Sequence, residues 1–453
     1  MYCGSCLRDN ALARAIIRCG RDVQLVPTYT PLTTDEAGAA IDRVFLGGIN
    51  VYLQQRIGLL RYLPRWLDRW LSHPRLLRRF TAGPRRTDPR RLGDLTLSVL
   101  RGTSGRQAKE FRHLVEWIVR QRPDVVDLSN LLIAGCLPEL RRRLDIPLLV
   151  TLQGDDLFLD KLPAAHREPA LQRLRELSRL ADGLIVYTEF YRRRVQELFE
   201  LPEERLHTVP LGIDTTDFAA DDFEGERQVD ESAAAGRNET SRPMVGYLAR
   251  LCPEKGFDRF VDLLLALRRL PGLEGIRGEA LGSWGDEGLE YIERQRARVA
   301  QAGADPELLA VHVHATRAEK LAFLRRIDCL CVPTRYEEPK GLYVLEALAA
   351  GVPVVLPAHG AFPELIGALG GGLLVPPDDL EGAVRAVAGL LRDGARRAEL
   401  GARGRRAVLQ HRSSDAMARA TLRVYDALVR ARFESGKGRP GAPALPEKEG
   451  KTC

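Results

Sequence analysis

Two spaced pairs of charged residues have the types and separations for chemistry on a phosphorylated ligand. The first is Glu338 and Glu346, a Glu-x7-Glu pair in the stretch Tyr336-Glu337-Glu338-Pro339-Lys340-Gly341-Leu342-Tyr343-Val344-Leu345-Glu346. The second is Arg250 and Lys255, an Arg-x4-Lys pair that precedes Gly256-Phe257-Asp258. Two cations after a strand and at a helix mouth, with the helix dipole added, suit a diphosphate that gains charge as it leaves. The N–H groups of Gly341 and Leu342, at a predicted helix start, suit a phosphate as well. Neither spacing is specific alone, since surface helices are rich in glutamate and surface turns in cations.

The elements that must position these groups are legible around them. Cys329-Leu330-Cys331-Val332-Pro333 and Val352-Pro353-Val354-Val355-Leu356 read as buried strands flanking a loop and a short helix from about Gly341 to Ala350, closed by Gly351. Pro243–Ala249 reads as the strand before Arg250, followed by strands near Gly278–Gly282 and Ala310–Val313 and a helix near Arg317–Arg326. Such βαβ alternation predicts a parallel, doubly wound sheet, which binds ligands outside the carboxyl ends of its strands.

The run Glu338-Pro339-Lys340-Gly341-Leu342-Tyr343-Val344-Leu345-Glu346-Ala347-Leu348-Ala349-Ala350-Gly351-Val352-Pro353-Val354-Val355 resembles the nucleotide-sugar loop of retaining glycosyltransferases of family 4, the glycosyl transferases group 1. Lys340 departs from the family's usual Phe. The resemblance is strongest over 243–376 and implies the GT-B fold, α/β, with two Rossmann-like doubly wound domains facing across a cleft. It implies a sugar moved from a nucleotide-diphosphate sugar to a glycan, lipid or small-molecule acceptor, with retention, no covalent enzyme intermediate, no metal and no cofactor. In this reading Arg250 and Lys255 meet the donor diphosphate, and Glu346 accepts from ribose hydroxyls. Glu338 stands by the transferred sugar, with Gly341, Leu342 and Gly4 near the donor. Gln153 stands where many relatives have a histidine; with Asp155 and Asp156 it is an acceptor-side candidate, the acidic pair resembling a metal site but placed for an acceptor-side or structural role.

The first half of the chain follows the same alternation, with strands near Asp22–Pro27, Val125–Leu128, Pro147–Leu152, Gly183–Tyr187 and Leu206–Pro210. Helices are expected near Asn10–Cys19, Gln107–Gln121, Leu131–Arg143, Pro169–Leu180 and Glu189–Phe199. Cys3-x-x-Cys6 lacks the second ligand pair of a zinc ribbon and the preceding strand of a redox motif, so it reads as a small-residue loop. A basic helical insertion spans 56–92. Its Leu63, Leu67, Trp70 and Leu71 share a face beside Arg61, Arg65 and Arg69, which fits either a helix lying in a membrane interface or a packed structural insertion. The expected domains are 1–220, a linker at 221–242, a donor domain at 243–410, a helix at 411–433 crossing back to the first domain, and a disordered tail at 434–453. His359 reads as a loop histidine. The small-residue turn follows Met1 almost at once, so the chain is expected to lack the first strand of its first domain.

The bulk properties agree with two domains. The chain has 453 residues, 45% of them hydrophobic, and a net charge of +7 with pI near 9.0. That balance favours phosphate-bearing or anionic partners; with the resemblance these are the nucleotide sugar and a glycan or lipid-linked acceptor, and not nucleic acid, while the basic insertion suggests an anionic membrane surface. Eight scattered cysteines, no signal-peptide pattern and no long apolar run point to a cytoplasmic protein, peripheral at the inner membrane face. Two rivals remain beside the transferase: a catalytically weak or inactive GT-B nucleotide- or glycan-binding protein, favoured by Gln153, and a phosphorylase, for which no pyridoxal-phosphate lysine marker is found.

Overall fold

The structure is a computed structural model and describes residues 4–28, 39–41, 45–46, 89–154, 156–219, 242–284 and 288–434. It divides into two compact units, one built from Ser5–Pro210 with the chain from Met417 onward, the other mainly from Leu211–Ala416. Residues 211–219, expected to close the first domain, thus group with the second unit. The insertion at 56–92 (its last four residues apart, which begin a helix at Pro89), most of the linker and the tail beyond Glu434 lie outside the described residues, as do Cys3 and Asp155.

In the first unit, strands β1 (Val126–Leu128), β2 (Leu148–Thr151), β3 (Gly183–Val186) and β4 (Leu206–Thr208) form a parallel sheet in that order. β2 and β3 are buried along their whole length, as apolar runs in parallel sheets are when helices cover both faces. The helix Ala108–Gln121 turns Phe111, Leu114, Val115 and Ile118 into this core, the spacing of one helical stripe.

Several sequence expectations change here. The helix over Leu131–Arg143 is split into a 3-10 turn, Leu131–Cys136, and a helix, Leu137–Arg143. Asn130 caps the turn by accepting from the Leu132 N–H at 2.6 Å, and Pro138, which has no N–H to donate, is tolerated only in a first turn, so the helix restarts there. The helix placed from Pro169 starts at Ala164 and carries Pro169 inside it. The strand over Asp22–Pro27 is reduced to isolated bridges, Leu25 with Ala40 and Thr28 with Phe45. Pro27, between them, removes a ladder donor. The first helix, α1 (Gly4–Arg18), starts earlier than the expected Asn10 and takes in Cys6, so that half of the cysteine motif is helical.

The second unit holds six parallel strands in the order β10-β9-β8-β5-β6-β7: β5 (Met244–Leu248), β6 (Arg277–Gly282), β7 (Leu309–Val313), β8 (Cys329–Cys331), β9 (Val354–Pro357) and β10 (Gly372–Val375). The order reverses between β5 and β8, so their carboxyl ends form the switch point where such sheets bind ligands. Four helices matter below: α2 (Phe257–Leu267), α3 (Arg317–Arg326), α4 (Leu342–Ala349) and α5 (Phe362–Leu369). The last helix, α6 (Ser414–Glu434), groups with the first unit from Met417 on. There Tyr425 donates to Asp127 at 2.7 Å, and Arg432 pairs with Asp145 and Asp182. Among the described residues no helix is long and apolar enough to cross a membrane.

Candidate active site

Arg250 and Lys255 leave the carboxyl end of β5; Glu338 leaves that of the neighbouring β8. The switch point therefore brings together groups separated by more than eighty residues of chain. The two loops are laced by their backbones. Arg335 N–H donates to the Glu254 carbonyl at 3.0 Å, and the Thr334 hydroxyl reaches the same carbonyl at 3.3 Å. Gly256, at φ +70°, lets this turn lie against the Pro333 carbonyl, which a Cβ there would meet at 1.9 Å. From below, the buried Tyr247 hydroxyl donates to the Arg250 carbonyl at 2.8 Å, with the Lys255 carbonyl at 3.2 Å. Asp258 clamps Arg335 through both guanidinium nitrogens, at 2.7 and 2.6 Å.

The result is a buried ion pair. Lys255 (8% exposed) donates to Glu338 (4% exposed). Lys255 Nζ also lies 4.7 Å from the centre of the Tyr336 ring and 5.1 Å from that of Tyr343, within reach of both π faces. Glu338 accepts in addition from the Tyr336 hydroxyl at 3.2 Å and the Gly341 N–H at 3.4 Å. Burial alone would raise the Glu338 carboxyl, but Lys255, the Gly341 N–H and Lys340 outweigh it and hold it below the ordinary value. Burial pushes the Tyr336 and Tyr343 phenols well up, with the Glu338 charge adding to it. His359 braces the loop by donating Nε2–H to the Thr334 carbonyl at 3.0 Å, and Ala361 N–H donates to the Glu338 carbonyl at 2.8 Å. The loop-histidine expectation for His359 thus gains a bracing role.

The Gly341 N–H, expected to suit a phosphate, is turned to the Glu338 carboxylate at 3.4 Å. Gly341 sits at φ +66°, where a Cβ would come within 2.8 Å of Leu365; that left-handed turn starts α4 directly at Leu342. Arg250 is exposed, in contrast to Lys255. Glu346 lies on α4 and pairs with Lys320 of α3 at 2.7 Å, both side chains nearly buried. Sequence reading missed Lys320. Its only signal was a lysine in the first turns of a helix otherwise rich in surface charge.

At the carboxyl ends of β6 and β7, Trp284 and His314 meet edge to face, ring centres 4.6 Å apart. A bridge between Trp284 and Leu251 fixes this pair beside the Arg250 turn. His314 takes a left-handed φ of +58°, uncommon for a residue with a side chain.

In the first unit, Gln153 is buried at the end of β2, donating to Asp9 at 3.1 Å and to the Ser129 carbonyl at 3.2 Å. Asp156 is occupied from within: it accepts from Tyr191 at 2.8 Å and Arg194 at 2.6 Å, partners that give it a structural part. Gly4 is the first residue of α1.

Comparison with known proteins bears on this arrangement. The family model described as Glycosyl transferases group 1 matches residues 228–407, and that described as Glycosyltransferase Family 4 matches residues 80–217. A lipopolysaccharide core biosynthesis mannosyltransferase of Rhizobium meliloti is 34% identical over 194 residues, 42% of this chain and 53% of the relative. A GDP-mannose-dependent α-(1-6)-phosphatidylinositol monomannoside mannosyltransferase of Mycolicibacterium smegmatis is 31% identical over 268 residues, 57% of this chain and 64% of the relative. The chain thus spans between half and two thirds of the length of these relatives. Among solved structures, a sucrose-phosphate synthase of Thermosynechococcus elongatus superposes with a TM-score of 0.63 at 19% identity, covering 93% of this chain and 92% of that one. HepE of Anabaena, in complex with UDP and glucose, gives 0.56 at 17% identity, covering 70% and 82%. With one family model matching each half and the parallel-sheet units of the GT-B fold in place, this chain belongs to the family 4 glycosyltransferases.

Proposed function

We propose that this chain is a retaining glycosyltransferase that moves a hexosyl group from a nucleotide-diphosphate sugar to a glycan or lipid-linked acceptor. The observation that carries the proposal is the buried Lys255–Glu338 pair at the switch point, with Arg250 on the same turn and Glu346 on the following helix. A diphosphate leaving an anomeric carbon gains negative charge, and Lys255 and Arg250 supply positive charge where it develops. They take the part that a metal plays in other transferases, so the reaction is proposed to run without one. Glu346, held by Lys320, accepts from the ribose hydroxyls. Glu338 orients the transferred sugar and faces the positive charge that develops on its ring, and the leaving phosphate takes the acceptor proton on the same face. The printed activities of two relatives, mannosyl transfer in lipopolysaccharide core synthesis and from GDP-mannose to a phosphatidylinositol mannoside, support a nucleotide sugar as donor and a glycan or lipid as acceptor. The lipid acceptor in that relative's name supports work at a membrane surface.

The test is release of nucleoside diphosphate from GDP-mannose, UDP-glucose and ADP-glucose, with and without chelator. Proton NMR of the product then reads the anomeric configuration. Turnover that survives chelation and keeps the donor's anomeric configuration is expected. No turnover and no binding of any donor would overturn the enzyme reading. An inverted product or loss with chelator would overturn the mechanism alone.

A further inference from the structure

We infer that the second unit carries a further binding site, a cavity at the carboxyl ends of β8, β9 and β10 that takes an uncharged aromatic molecule and acts on the loop bearing Glu338. The cavity measures about 250 Å³ and lies between those strand ends, α2 and the helix Leu380–Arg392. Among the described residues, none of those proposed for the donor lines it. Its wall is apolar, with Leu263 of α2, Val355 of β9 and Ala383 all buried, and Pro333, Pro357 and Pro376 closing it. Cys331 adds a thiol that burial pushes up to about 12, so it stays neutral, and its polarizable sulfur favours a ring. An apolar cavity of about 150 Å³ already holds benzene.

The rim decides the class of ligand. Arg259 pairs with Asp378, Asp262 with Arg298, and Arg335 with Asp258 through both terminal nitrogens, while Asp379 accepts from the Gly382 N–H at 2.8 Å. A charged ligand must break one of these pairs or enter an apolar space without a partner, and either is costly. An uncharged one breaks nothing. The Arg335 guanidinium meets its carboxylate edge-on, which leaves its planar face for a π system. Stacking on that face and sulfur contact at Cys331 select an aromatic molecule over an aliphatic one. Pro333 and Arg335 tie the cavity to the donor turn: Arg335 N–H donates to the Glu254 carbonyl, and Gly256 lies against the Pro333 carbonyl. A ligand packed on these two residues steadies the loop against the Lys255 turn, so part of the ordering is complete before a nucleotide arrives. This coupling, unlike the cavity itself, rests on the proposed transferase reading.

Calorimetric titration with indole tests the site, with cyclohexanol and benzoate as comparison probes. Indole should bind saturably with a Kd below about 1 mM and raise the melting temperature. Cyclohexanol and benzoate should each bind about 5-fold more weakly or worse, the first for want of a π face and the second for its charge. Ala383→Phe fills the cavity from its helix and should remove indole binding. Leu380→Trp should do the same from a rim position 40% exposed, where the fold tolerates the change. No saturable indole binding in wild type, or unchanged binding in a folded variant, would overturn the site. Equal binding of the three probes would overturn the aromatic assignment. With indole bound, GDP or UDP should bind about 5-fold more tightly, and both variants should bind them as wild type does without indole. Nucleotide affinity that ignores indole would overturn the coupling. Wild type that binds indole but neither nucleotide would remove the transferase reading and leave the cavity site standing.

Discussion

The Lys320–Glu346 pair gives the sharpest test of how the ribose site is built. The two side chains are 8% and 12% exposed and meet at 2.7 Å. Removing one partner of a buried pair leaves the other charge in a poor medium, at about 3–5 kcal/mol; replacing both costs far less. Lys320→Met and Glu346→Gln should therefore each destabilise by that amount, a large share of the 5–15 kcal/mol or so available to a domain. The double variant should recover about 2–3 kcal/mol relative to the sum of the two. Urea unfolding of the four proteins measures the cycle. Nucleoside diphosphate titrations of the same proteins separate folding from binding. Affinity should fall about 5- to 10-fold in Glu346→Gln and in the double variant, and less in Lys320→Met, where the acceptor remains. Single substitutions costing under about 1 kcal/mol, or strictly additive losses, would refute the reasoning: the pair would then be as cheap as an exposed one.

Further outcomes follow from the same geometry. Lys255→Ala should cut kcat more than donor affinity, because leaving-group charge is greatest in the transition state; equal losses would remove that role. Glu338 is held below its ordinary value of 4.5, so its contribution to stability is present above that pH and is lost as pH falls through the lower folded value. In Lys255→Met this loss on acidification should shrink, as read from the unfolding midpoint between pH 3 and 6 or so. Trp284→Ala should weaken nucleoside diphosphate binding while leaving the Lys255 turn folded, since its ring stands beside Arg250 at the strand ends. Tyr425→Phe should cost about 1–3 kcal/mol in thermal unfolding, because the buried Asp127 carboxyl, already raised by burial, loses one of its donors.

The sequence by itself determined the strands β5 to β9 and the α4 segment, and it singled out the four charged residues proposed for the site. The reason is local: continuous apolar runs mark strands buried on both faces, and Gly341 and Gly351 bracket α4 where the backbone turns left-handed. Only the tertiary structure decided that Lys255 and Glu338 neutralise each other, that Gly341 turns its N–H to Glu338, and that Lys320 holds Glu346. For Asp156 the sequence left an acceptor-side or structural role open, and the fold brings Tyr191 and Arg194 to its carboxylate. Each of these depends on partners 26 to 83 residues distant, or three residues distant across a turn, brought together by parallel pairing and crossover helices. Periodicity reports which way a side chain faces; what it meets there is set by strand order, and the reversal between β5 and β8 is a property of the folded sheet.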